Sequence, residues 1–152
     1  PVGFTKIFAD RLNAICAFPV KEAESGDQVK AGQVYLAKGG AQMRLVEGPS
    51  GITLSLTDDP PVNRFKPSVD YLFFSALKVK SKKIVAVLLT GMGADGALGM
   101  VELKRENVYT IAQDEDSSVV YGMPRAAFEM GGVSLVASLK DMPNAVLRAV
   151  SR

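Results

Sequence analysis

The stretch from Lys83 to Met100, KIVAVLLTGMGADGALGM, decides the fold of this chain. It opens with six apolar residues, Ile84 to Leu89, a run too short for a helix and with the β-branched and aliphatic composition of a buried strand. Gly91 and Gly93 permit positive φ, so the chain can reverse sharply before a helix begins. Ligands and catalytic groups collect outside the carboxyl ends of strands in open α/β sheets, so we expect the functional site in this turn.

The segments on either side alternate between helix and strand patterns. Val108 to Gln113 predicts a second short strand after the helix, which completes a βαβ unit. Apolar runs at Met43–Glu47 and Ile52–Leu56 predict a β-hairpin with a four-residue loop on the edge of a sheet. Helices are predicted at residues 4–15, after Ser68 as N-cap, at 97–106, 126–130 and after Pro143, and the first two have an apolar side that faces the core. Further strands are predicted at 17–23, 33–37 and 133–137. The pattern indicates an α/β fold.

The composition excludes several classes of function. The 152 residues, enough for one domain, carry 18 basic and 16 acidic side chains with no long block of either sign, so no nucleic-acid partner is predicted. No run approaches the roughly 20 apolar residues of a membrane span, so membrane insertion is not predicted. Cys16 is the only cysteine, which predicts no intrachain disulfide and a reducing, cytoplasmic compartment.

The glycines of the turn support two different interpretations. Gly91, Gly93 and Gly96 spell G-x-G-x-x-G between a strand and a helix, as in dinucleotide-binding domains, and Asp114 ends the next strand about 20 residues on. Against this, Asp95 places a carboxylate at the helix N-terminus that a pyrophosphate would occupy. In the other interpretation, Asp95 orients a histidine from the end of the strand, or it caps the helix. The residues alone leave these alternatives open.

Four motifs resemble the catalytic domain of the chemotaxis protein-glutamate methylesterases. They are PVGFTKIFADRLN at residues 1–13, PPVNRFKPSVD at 60–70, LLTGMGADGALGM at 88–100 and AQDEDSSVVYGMPRAA at 112–127. The resemblance implies a Ser-His-Asp hydrolase on a doubly wound, mostly parallel sheet with an inserted β-hairpin, in three α/β/α layers. It assigns the triad aspartate to Asp95 and an oxyanion contact to the backbone amide of Met92.

The resemblance also implies the substrate and the partners. Enzymes of this family remove methyl groups from γ-glutamyl esters on bacterial chemoreceptors, with glutamine deamidation as a second reaction. The implied partners are methylated chemoreceptor helices and a phosphorylatable receiver domain upstream of the catalytic domain. The implied chemistry needs neither a metal nor an organic cofactor.

The chain departs from the family pattern in its missing catalytic residues. The family's serine and histidine lie on two strands that precede the position of Pro1, and this chain contains no histidine. We therefore expect residues 1–152 to form an N-terminally incomplete catalytic domain, or alternatively a non-catalytic fragment that docks to receptors. Phe65 and Gln42 stand where relatives often carry histidine, and we expect these two changes to affect only surface detail.

Overall fold

The computed structural model describes residues 2–151 and divides the chain into two compact units, one ending at Val79 and the other beginning at Lys80. Both units combine helices with short strands, and most of the strand pairs are parallel. The predicted α/β class is confirmed. That residues 1–152 form one methylesterase-like domain stays a prediction. No helix within residues 2–151 is long and apolar enough to cross a membrane.

The first unit contains two helices and two separate pairs of strands. The elements are α1 Phe4–Ile15, β1 Val20–Glu22, β2 Val34–Leu36, β3 Gln42–Gly48, β4 Gly51–Thr57 and α2 Val69–Ala76. Strands β1 and β2 are parallel, whereas β3 and β4 form an antiparallel hairpin. The hydrophobic core joins Ala23 to Met43 and Leu54 of the hairpin, and Leu72 of α2 packs against it. Ser68 caps α2 as predicted, because its hydroxyl accepts a hydrogen bond from the Tyr71 N–H.

The hairpin differs from its prediction in two respects. Gly48 pairs with Gly51, so the loop contains two residues, Pro49 and Ser50, rather than four. The hairpin also forms a sheet of its own instead of extending the edge of another sheet. Gly51 has a φ of 110°, and this positive φ allows the short loop to close.

Helix α1 forms where predicted, but its apolar side does not face a core within the described residues. Only Ala9 of this helix is buried, whereas Phe4, Ile7 and Ile15 are 64%, 62% and 79% exposed. The spacing of apolar residues therefore predicted the helix correctly and its environment incorrectly. A periodic pattern reports which side of a helix is apolar, not which neighbour covers it.

The second unit is a parallel sheet with helices on both faces. Its elements are β5 Val85–Leu88, α3 Ala97–Arg105, β6 Tyr109–Gln113, α4 Met123–Glu129, β7 Leu135–Ala137 and α5 Met142–Val150. The strand order is β5-β6-β7, with all pairs parallel, so β5-α3-β6 is the predicted βαβ unit. Helices α3 and α4 pack together against β6. On the face that carries Val85 and Val87, α5 covers the sheet, so this unit has three layers.

Only part of the apolar side of α5 is buried. Met142 and Ala149 are buried against Ile111, whereas Leu147 and Val150 are 62% and 51% exposed. The sequence pattern places Val146, Leu147 and Val150 on one side of the helix, and of these three Val146 packs against the core. The apolar side of this short helix is broad, so packing on β5 and β6 decides which part of it is buried.

Candidate active site

The turn that follows β5 holds the predicted site residues at the carboxyl end of a parallel strand. Asp95 is buried, with 4% of its surface exposed, and lies between Gly93 and Gly96, whose φ values are 91° and 90°. These values fall in the left-handed region, which glycine adopts at little cost, so the glycines allow the chain to turn on both sides of Asp95. Helix α3 begins at Ala97 with Gly96 as its N-cap residue, so Asp95 lies one residue before the cap position, and its role as a helix cap stays a prediction.

Met92 lies on the exposed side of the same turn. Met92 is 79% exposed. Among the residues that the structure describes, none accepts a hydrogen bond from the Met92 N–H. A backbone N–H of this kind can donate to an oxygen of a bound molecule, which is the chemistry that an oxyanion contact requires.

A second loop, which follows β6, fixes the backbone on both sides of Met92. The Gly91 N–H donates to the Val120 carbonyl at 3.1 Å, and the Met123 N–H donates to the Gly91 carbonyl at 2.8 Å. A Cβ atom on Gly122 would lie only 2.7 Å from the Gly91 oxygen and 3.1 Å from the Gly93 nitrogen. Gly122 therefore permits a close approach of two backbones that any larger residue would prevent.

Gln113 and Thr90 connect the same two loops through side chains. Gln113 is fully buried at the end of β6, and its Oε1 accepts from the Thr90 N–H at 2.8 Å. Its Nε2 donates to the Ser117 carbonyl at 2.7 Å. The Thr90 hydroxyl donates to the Val120 carbonyl at 3.0 Å and accepts from the Val120 N–H at 2.9 Å. These bonds hold the turn against the loop without burying a charge.

Reasoning from the sequence did not identify Thr90, Gln113 or Gly122 as parts of the site. A signal for Gln113 was present, because a glutamine that ends a strand of apolar residues must satisfy both its donor and its acceptor groups if it is buried. The sequence indicated the role of Gly122 less clearly, because a glycine that precedes a helix can also serve as an N-cap or as part of a turn. Its close approach to the turn depends on a contact between segments about 30 residues apart.

The arrangement combines a buried carboxylate with a free backbone donor at the end of a strand. A buried carboxylate in this position can accept a hydrogen bond from an imidazole, and a fixed N–H can bind a developing oxyanion. The geometry gives the dinucleotide interpretation of Gly91, Gly93 and Gly96 no support. The buried Asp95 lies one residue before the N-cap of α3, where a phosphate would have to approach the helix N-terminus. The described residues contain no group of three or more His, Cys, Asp or Glu side chains suited to a metal.

The fold and the site define an α/β protein whose functional turn follows a parallel strand, and comparison with known proteins identifies its family. The CheB methylesterase family model matches residues 1–146. The catalytic domain of the Thermotoga maritima CheB methylesterase, known from a crystal structure, superposes with a TM-score of 0.94 at 35% identity, over 99% of this chain and 79% of that one. The chain belongs to the CheB methylesterase family, as the four motifs indicated.

Curated relatives are about half identical to the chain and considerably longer. A protein-glutamate methylesterase/protein-glutamine glutaminase 1 of Burkholderia pseudomallei is 50% identical over 147 residues, which are 97% of this chain and 40% of that protein. A protein-glutamate methylesterase/protein-glutamine glutaminase of Paraburkholderia xenovorans is 48% identical over 151 residues, 99% of this chain and 42% of that protein. The chain thus spans about two fifths of the length of these relatives.

Proposed function

We propose that this chain is the part of a protein-glutamate methylesterase that supplies the triad acid, Asp95, and one oxyanion donor, the Met92 N–H. The burial of Asp95 at the carboxyl end of β5 is the observation that carries the proposal. A carboxylate removed from water holds an imidazole in one orientation and stabilises the imidazolium that forms during the reaction. The relatives named above, with that activity in their names, support the same assignment.

The reaction is hydrolysis of a γ-glutamyl methyl ester in two steps. A serine hydroxyl attacks the ester carbonyl, a histidine takes the serine proton and passes it to the leaving methoxide, and methanol departs. Water then attacks the acyl-enzyme, the histidine takes a proton from it, and glutamate and free serine are regenerated. Asp95 accepts a hydrogen bond from the histidine, and the Met92 N–H donates to the oxyanion in both steps. This chain has no histidine, so the proposed reaction uses a histidine that is not among these 152 residues.

The substrates and partners in this proposal follow from the family resemblance. We propose esterified glutamates on the helices of chemoreceptors in the cytoplasm as the substrate, and deamidation of receptor glutamines as a second reaction with the same acyl chemistry. A phosphorylatable receiver domain is the proposed regulator.

The assignment is tested with Asp95→Asn in the protein expressed from the full open reading frame that contains this chain. We expect methanol release from methylated receptors to fall by about 10⁴, because the amide no longer holds the histidine in the reactive tautomer. Asp116→Asn is the matched control, since Asp116 is an exposed carboxylate beyond the end of β6, and it should leave the rate unchanged. An Asp95→Asn protein that releases methanol at the wild-type rate would contradict the proposal.

The second candidate function is a non-catalytic module that docks to receptors. The absence of histidine from the chain is the specific observation in its favour. The same assay separates the two functions. Receptor binding by the wild-type protein without any methanol release would establish the docking module and exclude the esterase.

A further inference from the structure

Residues Val62 to Phe65 of the first unit form a strained turn. The Val62 N–H donates to the Phe65 carbonyl at 3.1 Å, and the Phe65 N–H donates to the Val62 carbonyl at 2.8 Å. The two central residues, Asn63 and Arg64, have φ values of 52° and 70°. Positive φ at both central positions is typical of a type I′ turn, in which asparagine followed by glycine is the favoured pair.

Arg64 occupies the position of this turn that favours glycine. A side chain with a Cβ is disfavoured in the left-handed region, and such residues persist where the surrounding structure holds them there. Strained residues of this kind concentrate at sites that bind ligands or partners, so Arg64 is a candidate for a role in binding. Glycine would adopt this φ without strain. Replacing Arg64 by glycine would also remove the guanidinium group, which is the only functional group that this position presents.

Two buried side chains hold the turn rigidly in place. Gln42 is fully buried, and its Nε2 donates to the carbonyls of Pro60 at 3.1 Å and Phe65 at 3.2 Å. Asn63 donates to the carboxylate of Asp70 at 2.7 Å, and Asp70 is only 3% exposed. The expectation that Gln42 affects only surface detail is therefore wrong, because its amide determines the path of the chain before and after the turn.

The turn presents a cation that has no carboxylate partner within residues 2–151. Arg64 is exposed and makes no ion pair there, whereas the neighbouring Lys66 is paired with Asp58 at 2.6 Å. Phe65 is 43% exposed beside it. A guanidinium group next to an exposed aromatic ring is well suited to bind a carboxylate on another protein, since arginine pairs with carboxylates in a bidentate geometry.

A groove begins at Val62 and adds further cations to the same region. It has a volume of about 300 Å³ and is lined by Arg44, Val62, Tyr71, Phe74, Ser75 and Lys78. Neither Arg44 nor Lys78 forms an ion pair within residues 2–151. The nearby acid, Asp59, is already engaged, because hydrogen bonds from Tyr71 and Thr57 hold the pKa of its carboxyl below the usual value. The positive charge of Arg44 also lowers the pKa of Asp59, so the two groups interact. The lining of the groove itself combines aromatic side chains with two cations and contains no carboxylate.

We propose that the Val62–Phe65 turn and this groove, together called the docking face, bind an acidic surface of the substrate protein, with Arg64 paired to a carboxylate. This inference rests on the proposed function, in which the substrate is a protein and each turnover leaves a glutamate carboxylate on it. Charge complementarity selects an acidic partner, and the aromatic wall provides contact for its apolar side chains. Rigidity contributes as well, because a turn whose backbone is already held in place loses little backbone freedom on binding.

The experiment uses Arg64→Gly in the protein from the full open reading frame, with a soluble methylated receptor fragment as the binding partner. The Kd for the fragment should rise about tenfold, as expected for the loss of one charge-assisted pair. The melting temperature should equal or exceed that of the wild type, because glycine relieves the strained φ. Weaker binding by a protein of undiminished stability cannot result from unfolding.

Two controls complete the test. Arg64→Gln should weaken binding similarly, whereas Arg11→Gln, which removes the same charge from an exposed position of α1, should not. Wild-type affinity in both Arg64 variants, or equal weakening in Arg11→Gln, would overturn the inference. Hydrolysis of a short neutral peptide ester is measured in parallel. Failure of the wild type to hydrolyse any ester would refute the esterase instead, while the binding comparison would still decide whether Arg64 contacts the partner.

Discussion

The two units each contain a tight turn held by a fully buried glutamine, but different residue types adopt the positive φ values in the two turns. Gln42 accepts from the Ser68 N–H at 2.8 Å in the first unit, and Gln113 accepts from the Thr90 N–H at 2.8 Å in the second. The turn beside Gln113 uses glycines in the left-handed region, whereas the turn beside Gln42 uses Asn63 and Arg64.

The difference between the turns reflects what each one presents. A turn that offers backbone N–H groups needs no side chain at its left-handed positions, so glycine suits it. A turn that offers a side chain must accept the strain of a residue with a Cβ. In both, a neutral amide satisfies backbone groups that no strand or helix pairs, and it does so without the desolvation cost of a buried charge.

The largest effect should come from removing the glutamine of the first unit. Gln42→Leu leaves the Ser68 N–H and two carbonyls without their partner in a buried region, so we expect the free energy of unfolding in urea to fall by about 2–5 kcal/mol. Gln28→Leu, at an exposed position, should change it by no more than about 0.5 kcal/mol. Equal stability of the two variants would show that Gln42 does not support the turn.

The equivalent change in the second unit should be milder. Gln113→Leu should cost about 1–3 kcal/mol, because Thr90 is exposed and water can replace part of the lost hydrogen bonding. The specific measurement is hydrogen exchange of the Thr90 amide, which should become faster in the variant than in the wild type. Unchanged exchange at Thr90 would mean that the bond to Gln113 does not hold the turn in solution.

The smallest effect on stability is expected for glycines of equal φ in the two units. Gly93 and Gly26 both have a φ of 91°, and a Cβ on either would meet nothing within 4 Å, so alanine should cost about 1–2 kcal/mol at each position. Methanol release should distinguish the two variants. Gly93→Ala alters the turn next to Met92 and should lower the rate, whereas Gly26→Ala should not. Equal rates of methanol release in the two variants would show that the reaction does not depend on the exact position of the Met92 amide.

Local patterns predicted the elements of the fold well and their environments poorly. Helix α1 and the βαβ unit were predicted from periodicity and apolar runs, because these patterns record which side chains avoid water. The pattern did not predict that most of the apolar side of α1 is exposed, or which part of the broad apolar side of α5 is buried, because both depend on the neighbouring elements. The candidate site was located at the turn after β5, but the assignment of Asp95 to a triad came from the motifs and stays a proposal.

The sequence by itself determined that a glycine turn follows a parallel strand and carries Asp95 and Met92, because strand composition and glycine φ preferences are local properties. Only the tertiary structure decided that Asp95 is buried, that Gly122 approaches Gly91, and that Gln42 and Gln113 hold their turns. These features join residues about 20 to 30 positions apart. A glutamine or a glycine looks the same in sequence whether it faces water or another backbone, and packing alone makes the distinction.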